Sequence, residues 1–476
     1  MATAAPLRLS PAQALGVVLL FLGSYYLLGL AGLALQSAQT GVTPMWPASG
    51  AAFALSFWFG ARYALLILPA MLALAFAADV PLPAALLAAV GSMLEVILPA
   101  YLLRRLRLVP DLAQVRDTLL FVGIAVVLGP VFSASLGTLA MVQVAGAEIA
   151  ALNIWLLWWL GNSLGLLVVG GVGLLLPSWR RSLSGVGAGV ELALLLLLVG
   201  LIVLASGLHA NQISSSLLLY LLVPIVLILA IRRGQLGVLA AALIGVVVLL
   251  LVSHRIPDEL RTQAQLGTLY LDITLLWVIT FTGMVVSAAF HERAARERVA
   301  WLAAHDPLTR LVNRHAFLGR LGQAVKSARQ HGHQHGLLYL DLDQFKAVND
   351  TEGHAAGDRL LAEVGALFLA EVRGRDTVAR LGGDEFAVLL ENCPLVEARG
   401  IAENLRRAVE DYAFAGERGE YRLGVSLGVV PINAETADAA QVLHLADTAC
   451  YEAKRSGRNR VWVQSADPTG IEDAAD

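Results

Sequence analysis

The stretch Arg380-Leu381-Gly382-Gly383-Asp384-Glu385-Phe386 sets two adjacent acids between short apolar runs, Thr377-Val378-Ala379 before it and Ala387-Val388-Leu389-Leu390 after it. That pattern predicts a β-hairpin with acids at its tip. Gly382 and Gly383 carry no Cβ, so backbone and ligand can approach closely there. Strand alternation sends Asp384 and Glu385 to opposite faces, which implies separate tasks. A second acidic stretch, Leu337-Leu338-Tyr339-Leu340-Asp341-Leu342-Asp343, reads as a buried strand ending in carboxylates. Leu338, Leu340 and Leu342 share one face; Tyr339, Asp341 and Asp343 share the other. Carboxylates at a strand end facing a cleft suit a hard divalent cation. Phe345, Lys346, Asn349, Asp350, Gly353, His354, Gly357 and Asp358 follow directly. An ammonium suits phosphate as a point charge, and Asn with Asp offers donors and acceptors matching a guanine edge. Lys454 and Arg458 stand four apart and share a helical face if that helix persists; there they hold phosphates or complement the helix C-terminus.

The elements that must position these groups are legible in outline. Asp306-Pro307-Leu308-Thr309-Arg310-Leu311-Val312-Asn313-Arg314 opens the region, and a helical stretch through Val325 follows. His331, His333 and His335 read as a solvated, Gly-broken loop rather than a metal site, since no acid or Cys ligand lies near them in sequence. A helix around 359–370 leads to Arg373-Gly374-Arg375-Asp376 and the hairpin. An amphipathic stretch at 396–412, the strand Leu423–Val429 and the helix Val442–Ser456 complete the order. That order is β-α-β-β-α-β with additions, a ferredoxin-like sandwich.

The rest of the chain is of another kind. The 476 residues are 57% hydrophobic with a mean hydropathy of +0.68, far from a soluble average. Residues 1–290 hold 12 Arg, no Lys and 9 acids, while the remainder carries 22 basic and 28 acidic side chains. The mild acidity of the latter argues against a nucleic-acid polymer as partner. Cys393 and Cys450 are too few for a disulfide framework, which points to a reducing compartment. Apolar segments of bilayer-spanning length, about 20 residues each, occur near 12–35, 45–60, 63–79, 82–103, 117–143, 150–176, 188–207, 214–231, 235–253 and 270–290. The second and third are short, giving eight to ten spans. Arg8, Arg62, the Arg104/Arg105/Arg107 group, Arg180-Arg181, Arg232-Arg233 and the Arg293/Arg296/Arg298 run fall in alternate connections, the exception being the 254–269 loop, where Asp258 and Glu259 offset Arg255 and Arg261. The positive-inside rule then places both termini in the cytoplasm. Glu95 is costly at mid-span unless paired or wetted; Trp155, Trp158, Trp159, Asn153 and Asn162 read equally well as packing and interfacial residues. From His291 a short helix-forming run follows, with Ala295, Val299 and Leu302 on one stripe. It is either a plain juxtamembrane helix or a coiled coil that pairs two chains.

Two resemblances build on these residues. Val42-Thr43-Pro44-Met45-Trp46-Pro47-Ala48-Ser49-Gly50 with Trp158-Trp159-Leu160-Gly161-Asn162 resembles the MASE integral membrane sensor domain over residues 10–290; Asn162 stands where that family often has an acid. Asp341-Leu342-Asp343-Gln344-Phe345-Lys346 through Asp358, the Gly382–Phe386 core, Asp306–Arg314 and Ala453-Lys454-Arg455-Ser456-Gly457-Arg458-Asn459 resemble the GGDEF family of diguanylate cyclases. The resemblance implies a palm-type nucleotidyl cyclase domain that joins two GTP into cyclic di-GMP across a homodimer. It implies Mg²⁺ or Mn²⁺ on Asp341, Asp384 and the Leu342 carbonyl, with Glu385 in support and Asp384 as candidate base. It places Lys346, Lys454 and Arg458 on phosphates and Asn349 and Asp358 on guanine, with Phe345, His354, Gly382 and Gly383 also lining the nucleotide. Arg373 with Asp376 matches the RxxD product-inhibition pattern.

The expected architecture is therefore a polytopic α-helical membrane domain at 10–290, a signalling helix at 291–303, an α+β cyclase domain at 304–465 and a flexible tail at 466–476, sited in a bacterial inner membrane. Two other classes stay open from the residues: a non-catalytic nucleotide receptor, and a transporter with a regulatory nucleotide domain.

Overall fold

A computed structural model describes residues 10–34, 43–144, 150–178, 222–254, 263–436 and 438–464. The chain divides into two compact units, Met1–Ala294 and Ala295–Asp476.

The first unit is helical: α1 (Pro11–Ala34), α2 (Pro47–Phe59), α3 (Ile67–Ala77), α4 (Leu82–Arg105), α5 (Val115–Val144), α6 (Ala151–Leu175), α7 (Leu222–His254) and α8 (Gln263–Ala304), the last running on into the second unit. Among the described residues six helices are long and apolar enough to cross a membrane, and Ala61–Ala77 is a shorter apolar one. The chain is a multi-pass membrane protein. The spans expected at 188–207 and over the first part of 214–231, the Arg180-Arg181 pair, residues 255–262 of the 254–269 loop and the 466–476 tail lie outside the described residues. The connection expected at Arg232-Arg233 is a break inside α7 at Gly234, with φ 66° and ψ −149°, a conformation that favours glycine.

Lipid tails give helices no hydrophobic reason to associate, so close packing at small residues does that work. The two stretches singled out in the sequence meet in this way. Trp46 N–H donates to Gly161 O at 3.1 Å. A Cβ on Gly165 would stand 2.1 Å from Trp46 O, and one on Gly50 2.2 Å from Gly165 O. Glu95 of α4 lies fully buried between them, accepting from Ser49 Oγ at 3.2 Å and Asn162 Nδ2 at 2.9 Å.

The second unit is built on a six-stranded sheet. Its strands are β1 (Val312–Asn313), β2 (His335–Leu342), β3 (Thr377–Gly382), β4 (Glu385–Leu390), β7 (Val425–Ile432) and β8 (Val461–Val463), in the order β1-β3-β4-β2-β7-β8. A separate two-stranded ribbon pairs β5 (Ala413–Ala415) with β6 (Glu420–Arg422). β2 runs antiparallel to both β4 and β7, while β1 and β8 add in parallel at the edges. The helices are α9 (Arg314–His331), α10 (Phe345–Glu352), α11 (His354–Glu371), α12 (Leu395–Asp411) and α13 (Ala439–Arg455). The strand order of a ferredoxin-like core is present, but helices cover both faces rather than one. The reason lies in β2 and β7, which are apolar on both sides. Leu338, Leu340 and Leu342 pack with Leu360, Phe368 and Leu405; Leu337 and Tyr339 pack with Phe317, Leu321 and Ala446. Strands buried on both faces read as continuous apolar runs.

Candidate active site

β2 sits at the centre of the sheet, and its C-terminal end carries Asp341. The register sets Asp341 opposite Glu385 on β4 and opposite Ser426 on β7. Directly paired residues share a face, so Asp341 and Glu385 lie with Tyr339 on the α9/α13 side. Between β3 and β4 only Gly383 and Asp384 form the turn, and Gly382 and Gly383 adopt φ of 153° and 53°. A side chain would be strained at both. Leu342 N–H donates to Asp384 O at 3.3 Å, tying the turn to the end of β2. The hairpin and the acidic strand end recognised in the sequence therefore meet at one corner of the sheet.

Lys454, near the end of α13, places Nζ 2.6 Å from Asp341 Oδ2. Burial pushes the Asp341 carboxyl up from its ordinary range, and Asp384 and Glu385 push it the same way, with Lys454 opposing. Burial lowers the Lys454 ammonium, but Asp341 outweighs that and holds it above its usual value. Asp341 and Asp384 both act on the Lys454 ammonium, and Asp384 and Glu385 both act on Asp341, so acids outnumber the base at this end of the sheet. A cation and an ammonium beside phosphates are what such a surplus accommodates. Among the described residues no three acidic, imidazole or thiol groups cage a metal by themselves. A Mg²⁺-type ion takes one or two carboxylates and draws its other oxygens from water and substrate phosphates.

The remaining expected residues are distributed around this corner. Lys346, His354 and Asp358 are exposed, on α10 and α11. Phe345 is packed into the core. Asn349 Oδ1 is buried without a partner, and a Cβ on Gly357 would stand 1.9 Å from it, so Gly357 makes room for that amide. Arg458 does not share a helical face with Lys454. The helix ends at Arg455, and the chain turns through Gly457 at φ 121° and Arg458 at φ 62°. Away from this corner, Arg373 and Asp376 form a turn in which Asp376 N–H donates to Arg373 O at 2.9 Å and Arg373 N–H to Asp376 Oδ2 at 3.1 Å. The Arg373 guanidinium is paired with Glu397. Of the three histidines, His335 is not in a solvated loop. It begins β2, is buried, and accepts from Asn392 N–H at 3.1 Å, because the strand starts two residues before its apolar run.

Two supporting groups have no signal in the sequence. Arg380 donates to Gly383 O from Nε at 3.0 Å and from Nη2 at 2.8 Å, and to Asp306 Oδ1 at 3.2 Å. It thereby clamps the tip to the start of the domain. Asp343 accepts from Ser426 Oγ at 2.9 Å and from Asn459 N–H at 2.9 Å. It pins the turn that carries Arg458.

Residues 17–294 match the family model MASE1, and residues 303–460 match the model described as diguanylate cyclase, GGDEF domain. The first match covers more than half of the chain: this protein belongs to the MASE1 family of membrane sensors, with a GGDEF domain as its second unit. Relatives include the probable diguanylate cyclase DgcE of Escherichia coli, 42% identical over 180 residues, 38% of this chain and 16% of that one. The probable diguanylate cyclase DgcT of the same organism is 33% identical over 217 residues, covering 45% and 47%. Diguanylate cyclase A of Treponema denticola is 36% identical over 161 residues, covering 33% and 43%. The chain thus spans less than half the length of each of these relatives. Among solved structures, the coiled coil and GGDEF domain of DgcB from Caulobacter crescentus, in complex with c-di-GMP, is 31% identical over 36% of this chain and 91% of that one, with a TM-score of 0.35.

Proposed function

We propose that this chain is a diguanylate cyclase of a bacterial inner membrane, joining two GTP molecules into cyclic di-GMP with release of two pyrophosphates. The observation that carries the reading is the cross-strand pair Asp341 and Glu385 beside the Asp384 turn, with Lys454 drawn onto Asp341. In this reading Asp341, Asp384 and the Leu342 carbonyl hold Mg²⁺ or Mn²⁺, supported by Glu385, and the ion neutralises phosphate charge when bound. Lys346, Lys454 and Arg458 hold phosphate oxygens. Asn349 and Asp358 meet the guanine edge, and Gly382 and Gly383 let the backbone approach the nucleotide. Asp384 takes the proton of the 3′-hydroxyl as that oxygen bonds to the α-phosphorus of the opposing GTP and the bond to pyrophosphate breaks.

One domain holds one GTP, so the reaction requires a second copy facing the first. Val299, Trp301 and Leu302 are 67%, 39% and 44% exposed at the end of α8; they are the apolar surface this reading assigns to pairing. Cyclic di-GMP binds at Arg373 and Asp376 as feedback inhibitor, and both termini are cytoplasmic by the arginine asymmetry. The membrane unit supplies the regulatory input. The test is to incubate the full-length protein in detergent with GTP and Mg²⁺ and separate the nucleotides. Cyclic di-GMP and pyrophosphate in a one-to-two ratio are expected; GTP left intact by a dimeric preparation would overturn the reading.

A further inference from the structure

The membrane unit contains a cavity of about 140 Å³ among α1, α3, α4, α5, α6 and the approach to α2. Its space comes from small side chains: Ala75, Ala78, Ala84, Ala85, Ala88 and Ala140 line it where larger apolar residues would fill it. Trp46, Trp158, Met71, Met141 and Leu74 supply the larger apolar wall. Leu33, Ala140 and Met141 stand near the ends of their helices and Ala78 and Val80 in the link from α3 to α4, so the cavity lies toward the end of the bundle opposite Arg62 and Arg104.

The floor is polar. Thr43, Ser92 and Asn162 supply its polar side chains, and Glu95, outside the lining, lies one turn beyond Ser92 on the same face of α4. Both hydrogens of the Asn162 amide are committed, to Glu95 Oε2 at 2.9 Å and to Ser133 Oγ at 2.9 Å. An amide nitrogen has two donors and no more, so Asn162 has only its carbonyl oxygen left to offer. Glu95 is fully buried, and its Oε1 has no hydrogen-bond partner. In lipid an unmatched polar atom is costly. Among the lining side chains Asn162 thus offers an acceptor alone, while the Ser92 and Thr43 hydroxyls can donate or accept.

We propose that this cavity is a ligand site of the membrane unit. It takes a ring-sized apolar molecule carrying one hydrogen-bond donor, an amine or a hydroxyl, with the donor directed at the Asn162 carbonyl oxygen. The size agrees: apolar cavities of about 150 Å³ accommodate benzene. The donor sets it apart from a greasy void, because a purely apolar guest leaves the floor unmatched. The site stands independently of the chemistry of the second unit.

The test uses the full-length protein in lipid nanodiscs and ¹⁹F NMR with three probes of one shape: 4-fluorobenzylamine, 4-fluorobenzyl alcohol and 4-fluorotoluene. The amine or the alcohol should show a saturable bound signal at least ten times tighter than toluene. Either order between those two supports the site. Ala88→Phe should remove the bound signal, with Ala85→Leu as second filling variant should the first not fold. Asn162→Leu should bring all three probes to the toluene level. Equal affinity for toluene and the amine, no saturable signal for any probe, or unchanged binding in a folded filling variant would overturn the proposal.

Discussion

Lys454 Nζ and Asp341 Oδ2 stand 2.6 Å apart, joining the last long helix to the end of the central strand. The same ammonium that neutralises Asp341 is the one assigned to phosphate, so nucleotide and carboxylate share it. Lys454→Met should raise the KM for GTP about tenfold or more, while Lys454→Arg restores part of it. Steady-state kinetics on full-length protein check this, and an unchanged KM would remove Lys454 from the site.

Arg380 reaches Asp306 across 74 residues of sequence and holds the carbonyl of Gly383 as well. Arg380→Ala leaves the tip without its clamp, and kcat should fall by roughly one to two orders of magnitude, with a smaller change in KM. Burial pushes the Asp306 carboxyl up, but the Thr309 N–H and hydroxyl and the Arg380 guanidinium outweigh it and hold it below the usual carboxylate range. A carboxyl lowered on folding stabilises above its unfolded value, about pH 4, and loses that contribution as pH falls through the folded value. The Tm difference between wild type and Asp306→Asn should therefore be full at pH 6 and shrink below pH 4.

Gly357→Ala forces a methyl group onto Asn349 Oδ1, which stands 1.9 Å from the added Cβ. Gly357 is buried and the methyl also meets Phe345 Cζ at 3.1 Å, so the Asn349 amide must leave its place. Discrimination between GTP and ATP should fall roughly tenfold, measured as the ratio of kcat/KM on protein verified as folded.

Arg373→Ala should abolish feedback without lowering the initial rate. Progress curves of wild type should flatten as cyclic di-GMP accumulates; those of the variant should run on to GTP exhaustion. Equal flattening in both would exclude the Arg373 turn as the inhibitory site.

Insertion of one to four alanines after Glu292 rotates the second unit about the helix axis by about 100° per residue. If α8 sets the pairing of two catalytic domains, activity should vary periodically with the length inserted. A flat response would dissociate that helix from regulation.

Much of this is legible because local patterns coincide with chemistry. The alternation of Leu338, Leu340 and Leu342 sets the faces of β2, and Gly382-Gly383 announces a turn with positive φ. The apolar runs and alternating arginines mark the bilayer. The hidden part depends on distant partners. Nothing near Asp343 indicates that it pins Asn459, 116 residues away, nor near Arg380 that it reaches Asp306. The helical pairing of Lys454 with Arg458 fails because spacing alone does not register the break at Gly457. Along the chain Glu95, Ser49 and Asn162 are separate oddities, and only packing joins them.

The most direct test compares cyclic di-GMP formation by full-length wild type, Asp341→Asn and Asp384→Asn at saturating GTP and Mg²⁺, each verified as a folded dimer. The account predicts turnover by the wild type and a loss of at least about 100-fold in each variant. Wild-type rates from Asp341→Asn or Asp384→Asn would contradict it.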